Sequence, residues 1–188
     1  MSEPAKKLFL LDAYALIYRA HFAFTKTPRI NSKGHNTSVP FGFTNTLMEV
    51  LQKQKPTHIG VAFDTSAPTF RDEIFEAYKA NRQETPEDIR YGVPKVKEIL
   101  KAFNIPILEK DGYEADDIIG TLAHQAEAAG FEVFMMTPDK DFGQLVTDKV
   151  KLYKPAYMGN AVDVMGPEEV CARWDIENVN QVVEMLGL

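Results

Sequence analysis

At 188 residues, 45% of them hydrophobic and 26% charged, the chain has enough apolar material for one well-buried α/β core and too little length for two. Its single cysteine, Cys171, excludes an intrachain disulfide framework and a cysteine-built zinc cluster, and suits a reducing compartment. A formal net charge of -6 argues against a uniformly basic, DNA-coating surface, yet leaves room for acids gathered at a metal site with lysines and arginines elsewhere. Met1 to Lys7 lacks the apolar run of a signal peptide, and no stretch is long and apolar enough to span a bilayer. A cytoplasmic location with no membrane partner is the default expectation.

Leu8-Phe9-Leu10-Leu11 is a continuous apolar run ending at Asp12, the pattern of a strand buried on both faces. Ala13 to Phe24 reads as a helix, and Thr25 to Ser38 as a polar loop in which Lys33 and His35 are exposed. A helix is expected after Pro40, with Phe43, Leu47, Val50 and Leu51 as its apolar stripe, stopping before Pro56. A second strand, Thr57 to Phe63, again ends on an acid, Asp64. Residues 66–91 are charged with interspersed aromatics and too polar for a core element, which predicts a protruding segment. Pro94 fits the first turn of a further helix burying Val96, Ile99, Leu100 and Phe103.

Ile105 to Leu108 is a short third strand. After it, Glu114-Ala115-Asp116-Asp117 opens a helix that runs to Ala129, with Gly130 as its C-terminal cap. Acids in a first turn favour the helix dipole, but three in four positions exceed what a cap needs, and without a cation such crowding costs stability. Phe131 to Met136 is a fourth strand, running into Thr137-Pro138-Asp139-Lys140-Asp141, and Val150 to Tyr153 a fifth. Helices start at Gly166 and Asn178. Strands alternating with helices at this spacing imply a three-layer α/β/α sandwich around a mostly parallel sheet of about five strands.

In such a sheet, ligands bind beyond the carboxyl ends of the strands. Asp12, Asp64, Glu114, Asp116, Asp117, Asp139 and Asp141 would therefore converge there from four parts of the chain. Any one of them can be a helix cap or a solvated loop residue. All together would repel one another unless hard cations sat among them. An all-oxygen ligand set without neighbouring cysteine or histidine indicates Mg²⁺ or Mn²⁺ rather than zinc. Two such ions, about 3.5–4 Å apart, suit phosphodiester hydrolysis. Arg71, Lys79 and Arg82, interleaved with Phe70, Phe75 and Tyr78, suit phosphate contact and base stacking, although a solvated amphipathic helix has the same composition. Arg19, two turns after Asp12, is placed to face the same cleft. His58 and His124 read as structural, and Cys171 as a core residue.

Five stretches in this order make the sequence recognisable: Phe9-Leu10-Leu11-Asp12 with Tyr18-Arg19, Gly60 to Asp64, Phe70-Arg71 with Tyr78 to Arg82, Gly112 to Asp117, and Thr137 to Asp141. Over nearly its whole length the chain resembles the N-terminal 5′-nuclease domain of bacterial DNA polymerases I, in the flap-endonuclease and PIN-like superfamily. The resemblance implies that Asp12, Asp64, Glu114 and Asp116 ligate a first metal. Asp117, Asp139 and Asp141 would support it and a second. It implies that Arg19, Arg71, Tyr78, Lys79 and Arg82 meet the DNA, the last four in or beside a helical arch, with Lys79 and Arg82 also serving catalysis. The implied activity is metal-dependent 5′-3′ exonuclease and flap endonuclease action in primer removal and repair. Mg²⁺ is the implied cofactor, two ions in a complete domain, with Mn²⁺ substituting. The implied partners are DNA with a 5′ end or flap and RNA primer–DNA hybrids, engaged by a monomer. Family members continue beyond the equivalent of Leu188 with further aspartates and a helix-hairpin-helix region, so a single, incomplete domain is expected.

Two other readings stay open on the residues alone. A PIN-like ribonuclease needs only the carboxylate cluster, and a DNA-binding fragment could hold metal without useful turnover. An aspartyl-phosphate phosphatase also places an acid after its first strand, but the position two residues beyond Asp12 is Tyr14.

Overall fold

The computed structural model describes residues 6–74, 84–155 and 161–187. Its central strand, β1 (Lys7–Asp12), is the apolar run identified above, and both its faces are covered. Phe9 and Leu11 enter one apolar cluster and Leu10 the other. Parallel partners flank it, β2 (His58–Ala62) on one side and β4 (Glu132–Met136) on the other. Beyond β2 lies β3 (Ile107–Leu108), and beyond β4 lie β5 (Val150–Lys154) and β6 (Asp163–Met165). The order is β3-β2-β1-β4-β5-β6, with β6 alone antiparallel. The sheet is thus one strand wider than the periodicity indicates, because three residues with exposed Val164 are too short to show alternation.

On one face pack α1 (Ala13–Phe24), α2 (Ser38–Glu49) and α4 (Glu87–Ala102), and on the other α5 (Ala115–Ala128), α6 (Pro167–Trp174) and α7 (Val182–Leu186). Helix α2 starts at Ser38 rather than after Pro40, since proline is acceptable in a first turn, where its missing N–H has no helical partner. It ends in a single π turn, Val50–Gln54. Two glycines let these helices close up. A Cβ on Gly42 would meet that of Ala20 at 2.6 Å, and one on Gly92 would meet Val39 at 2.6 Å.

The structure corrects one boundary more substantially. Helix α4 begins at Glu87, so Pro94 lies inside it and not in its first turn. A proline there removes one helical hydrogen bond, from the carbonyl of Arg90. Both residues are exposed, so water can satisfy the carbonyl, and the buried stripe Ile89, Val96 and Leu100 holds the helix. Ahead of α4 lies the short helix α3 (Phe70–Ile74). Among the described residues, no helix is long and apolar enough to cross a membrane.

Candidate functional site

The register of β1 sets Asp12 beside Ala62 and Leu11 beside Met136. The chains leaving β1, β2 and β4 therefore carry Asp12, Asp64 and Asp139 to one edge of the sheet, where the strand order reverses direction about β1. Each acid is tied to the helix start it faces. Asp12 Oδ1 accepts from Ala15 N–H at 3.0 Å, Asp64 Oδ1 from Ala115 N–H at 2.7 Å, and Asp139 Oδ1 from Asp141 N–H at 2.9 Å. Glu114 is the N-cap of α5, and Asp117 reaches back to accept from Glu114 N–H at 3.0 Å. Capping and site-building are thus the same arrangement, in which a backbone donor fixes one carboxylate oxygen and so orients the group.

Thr137, buried at the end of β4, joins two of these acids. Its hydroxyl donates to Asp12 Oδ2 at 3.1 Å and accepts from Asp139 N–H at 3.2 Å. This role of Thr137 was not foreseen from the sequence, although a polar side chain immediately after the apolar run of β4 is a readable signal.

Five of the seven acids, Asp12, Asp64, Glu114, Asp116 and Asp139, line one open cavity of about 870 Å³. An adjoining cavity of about 430 Å³ shares Glu114 and Asp116 and adds Asp117 and Asp141. All seven are therefore gathered at one edge, in two groups that share the start of α5. Burial pushes the Asp12 carboxyl up from its ordinary range, against the hydrogen bonds from Ala15 and Thr137. Asp116 is pushed up to about 7, first by desolvation and then by Asp12, Asp139, Asp64 and Glu114. Asp116 also opens onto the cleft, where water screens part of this repulsion, and the upward direction is what matters for the site. Among the described residues no three acids stand close enough to form a closed ligand set. Their chemistry nonetheless fits a hard divalent cation: all donors are oxygen, they share one cavity, and Asp116 is short of positive charge.

Arg71, expected to meet phosphate, makes a two-pronged pair with Asp117, Nη1 to Oδ2 at 2.8 Å and Nη2 to Oδ1 at 2.9 Å, and approaches Glu114 at 3.9 Å. It compensates the acidic start of α5. Arg19 does not line the acidic cavity. It borders a neighbouring apolar hollow with Phe22, Pro138 and Lys154, because the helical turn carries it away from the face that follows Asp12. Tyr78, Lys79 and Arg82, with Phe75, lie outside the described residues. Of the residues read as structural, Cys171 is only partly buried, His124 is exposed, and His58 is an exposed strand-end residue against Phe131.

The face of α1 that lines the cavity is instead Tyr14, Tyr18, His21 and Phe22. Its spacing of four, three and one residues is a helical stripe complementary to buried Ala13, Leu16, Ile17 and Ala20, and would have identified it.

Residues 7–175 match the model of a family described as 5′-3′ exonuclease, N-terminal resolvase-like domain. The chain belongs to that family. This exonuclease-family chain is 42% identical over 183 residues to DNA polymerase I of Bacillus subtilis (strain 168), covering 97% of the chain and 20% of the polymerase. It is 40% identical over 150 residues to the 5′-3′ exonuclease of Aquifex aeolicus (strain VF5), covering 80% of the chain and 51% of that relative. Among solved structures, the bacteriophage T5 flap endonuclease, in a pseudo-enzyme–product complex with DNA and metal ions, matches with a TM-score of 0.74 at 19% identity. That match covers 94% of this chain and 64% of the phage protein, and it speaks for the fold alone.

Proposed function

We propose that this exonuclease-family domain hydrolyses phosphodiester bonds at 5′ ends and 5′ flaps of DNA, acting as a monomer on flap, nicked-end or RNA primer–DNA substrates. The observation that carries the reading is the convergence of five acids from separate chain segments on one cavity at the carboxyl edge of the sheet.

Asp12, Asp64, Glu114 and Asp116 would hold a first divalent cation, Mg²⁺ or in its place Mn²⁺. Asp139 stands in the same cavity, and Asp117 and Asp141 border the adjoining one, where a second ion would be served. When bound, such a cation lowers the pKa of a coordinated water and neutralises charge on the phosphate. The chain's own part is to hold these carboxylates still. Ala15, Ala115 and Asp141 N–H groups and the Thr137 hydroxyl fix four oxygens, so little reorganisation is left for the reaction. Arg71 grips both oxygens of Asp117, one of which also accepts from Glu114 N–H, and so orients that carboxylate. Lys79 and Arg82 are assigned to the scissile strand's phosphates and Tyr78 to stacking on its bases. Arg19 would touch flanking phosphate from its neighbouring hollow.

The test is cleavage of a labelled 5′-flap DNA, titrated with Mg²⁺ and then Mn²⁺, with Asp116→Asn as control. Metal-dependent cleavage above that control is expected. If a chain extended through the further family residues cuts while this one does not, the domain is a correctly folded but incomplete centre. If neither cuts, the reading is wrong.

A further inference from the structure

The acidic cleft is proposed to receive a polyanion, yet among its described lining residues there is no lysine or arginine. Among those described residues the one side chain that carries nitrogen is that of His21, on α1. His21 also borders a second hollow, of about 460 Å³, which contains Asp88. Across that boundary its Nδ1 meets Asp88 Oδ2 at 2.7 Å, with the two side chains only 20% and 15% exposed. An ionised carboxylate can only accept, so Nδ1 carries the hydrogen and Nε2 stands on the other edge of the ring. Phe22 packs edge-on against the imidazole, with ring centres 5.1 Å apart, and limits its rotation.

We propose that His21 is a substrate-positioning residue, its Nε2–H donating to a phosphate oxygen of the strand in the acidic cleft while Asp88 holds the ring in place. This rests on the nuclease reading given above. A neutral ring with hydrogen on Nδ1 presents a lone pair at Nε2, which repels phosphate. Only the imidazolium donates from both nitrogens. The contact therefore requires His21 to hold a second proton, and DNA binding takes up that proton when the ring begins neutral. The charged and titratable groups that line these two cavities with His21 include Asp88 and Glu87 from α4, Glu84 just ahead of it, Tyr14 and Tyr18 from α1, His35 and Tyr91, and the five acids of the cleft. A purely structural tie between α1 and α4 would need the Nδ1 bond but would be indifferent to the state of Nε2.

Equilibrium binding of a 5′-flap DNA separates the two, measured by fluorescence anisotropy with Ca²⁺ in place of Mg²⁺. His21→Asn keeps a donor near the Nδ1 position and removes Nε2, whereas His21→Lys keeps a permanent charge. At the acidic end of a pH series the wild type should bind about tenfold tighter than H21N, and the ratio should fall toward one as the pH is raised. H21K should keep tight binding at the higher pH. Because protonation of the cleft acids affects wild type and variants alike, the ratio isolates residue 21. A ratio near one throughout, or one that does not change with pH, would overturn the positioning role while leaving the nuclease reading intact. Failure of the wild type to bind DNA at any pH would overturn both.

Discussion

The two ends of the same parallel sheet are built on opposite rules. At the amino edge, charges are neutralised or lie on apolar surface. Lys7 Nζ lies 4.9 Å from the ring centre of Phe134 and bonds to Gln54, Lys6 sits 5.5 Å over Phe131, and Lys151 pairs with Glu132 at 3.0 Å. At the carboxyl edge, acids are packed against acids, and the guanidinium of Arg71 pairs with Asp117. One edge is arranged for stability. The other keeps a concentration of like charge that a bound cation would relieve, as expected of a functional site.

The largest effect should come from the stable end. Phe134 stacks on Phe9 with ring centres 4.8 Å apart and meets Tyr153 edge-on. Phe134→Ala should cost about 3–5 kcal/mol in denaturant unfolding. Whatever fraction stays folded should still bind metal, since this residue is remote from the acids.

At the other end, Asp116→Asn should lower flap cleavage on the order of a hundredfold or more while leaving the fold intact. Its effect on stability should have the opposite sign. Asp116 titrates near 7 in the folded protein against an ordinary 3.8, so between those values the folded form binds more protons than the unfolded one. Stability without added metal should therefore fall as pH rises through that window, with Asp12 acting in the same direction. D116N should melt at a higher temperature than wild type at about pH 8, and the difference should vanish below about pH 4. A variant less stable than wild type at pH 8 would contradict the account of the acidic edge.

Arg71→Ala removes the two-pronged pair on Asp117. The pair is partly exposed, so a loss of about 1 kcal/mol is expected in thermal unfolding, reduced by salt. Arg71→Lys should recover only part of it, because an ammonium cannot make the paired contact. Smallest of all, Lys151→Met should change stability by less than about 1 kcal/mol, since its pair with Glu132 is open to water. A large effect at Lys151 and none at Phe134 would erase the contrast between the two edges.

Most of this was legible because three strands, β1, β2 and β4, are short apolar runs that each lead into an acid. Leu8–Asp12, the second strand through Asp64 and the fourth through Asp139 needed only the rule that ligands gather at carboxyl ends. Helix α1 was read to the residue, and the family followed from five ordered stretches. What escaped depended on tertiary contacts. Pro94 resembles a helix start in sequence, and only the burial of Ile89 reveals the extra turns before it. Strand β6 forms because β5 offers an open edge, which no local pattern announces. Arg19 and His21 are both polar residues on α1, and two positions of helical rotation decide which of them enters the acidic cleft. The pairing of Arg71 with Asp117, which adds to its reading as a phosphate contact, likewise joins residues 46 positions apart.

The most direct test of the central claim is Mn²⁺ binding, followed by electron paramagnetic resonance, in wild type, D116N and Lys151→Met. Wild type and the Lys151 variant should bind Mn²⁺ alike, and D116N should bind at least about tenfold more weakly. Equal affinity in all three proteins would mean that the acids at the carboxyl edge are not a metal centre.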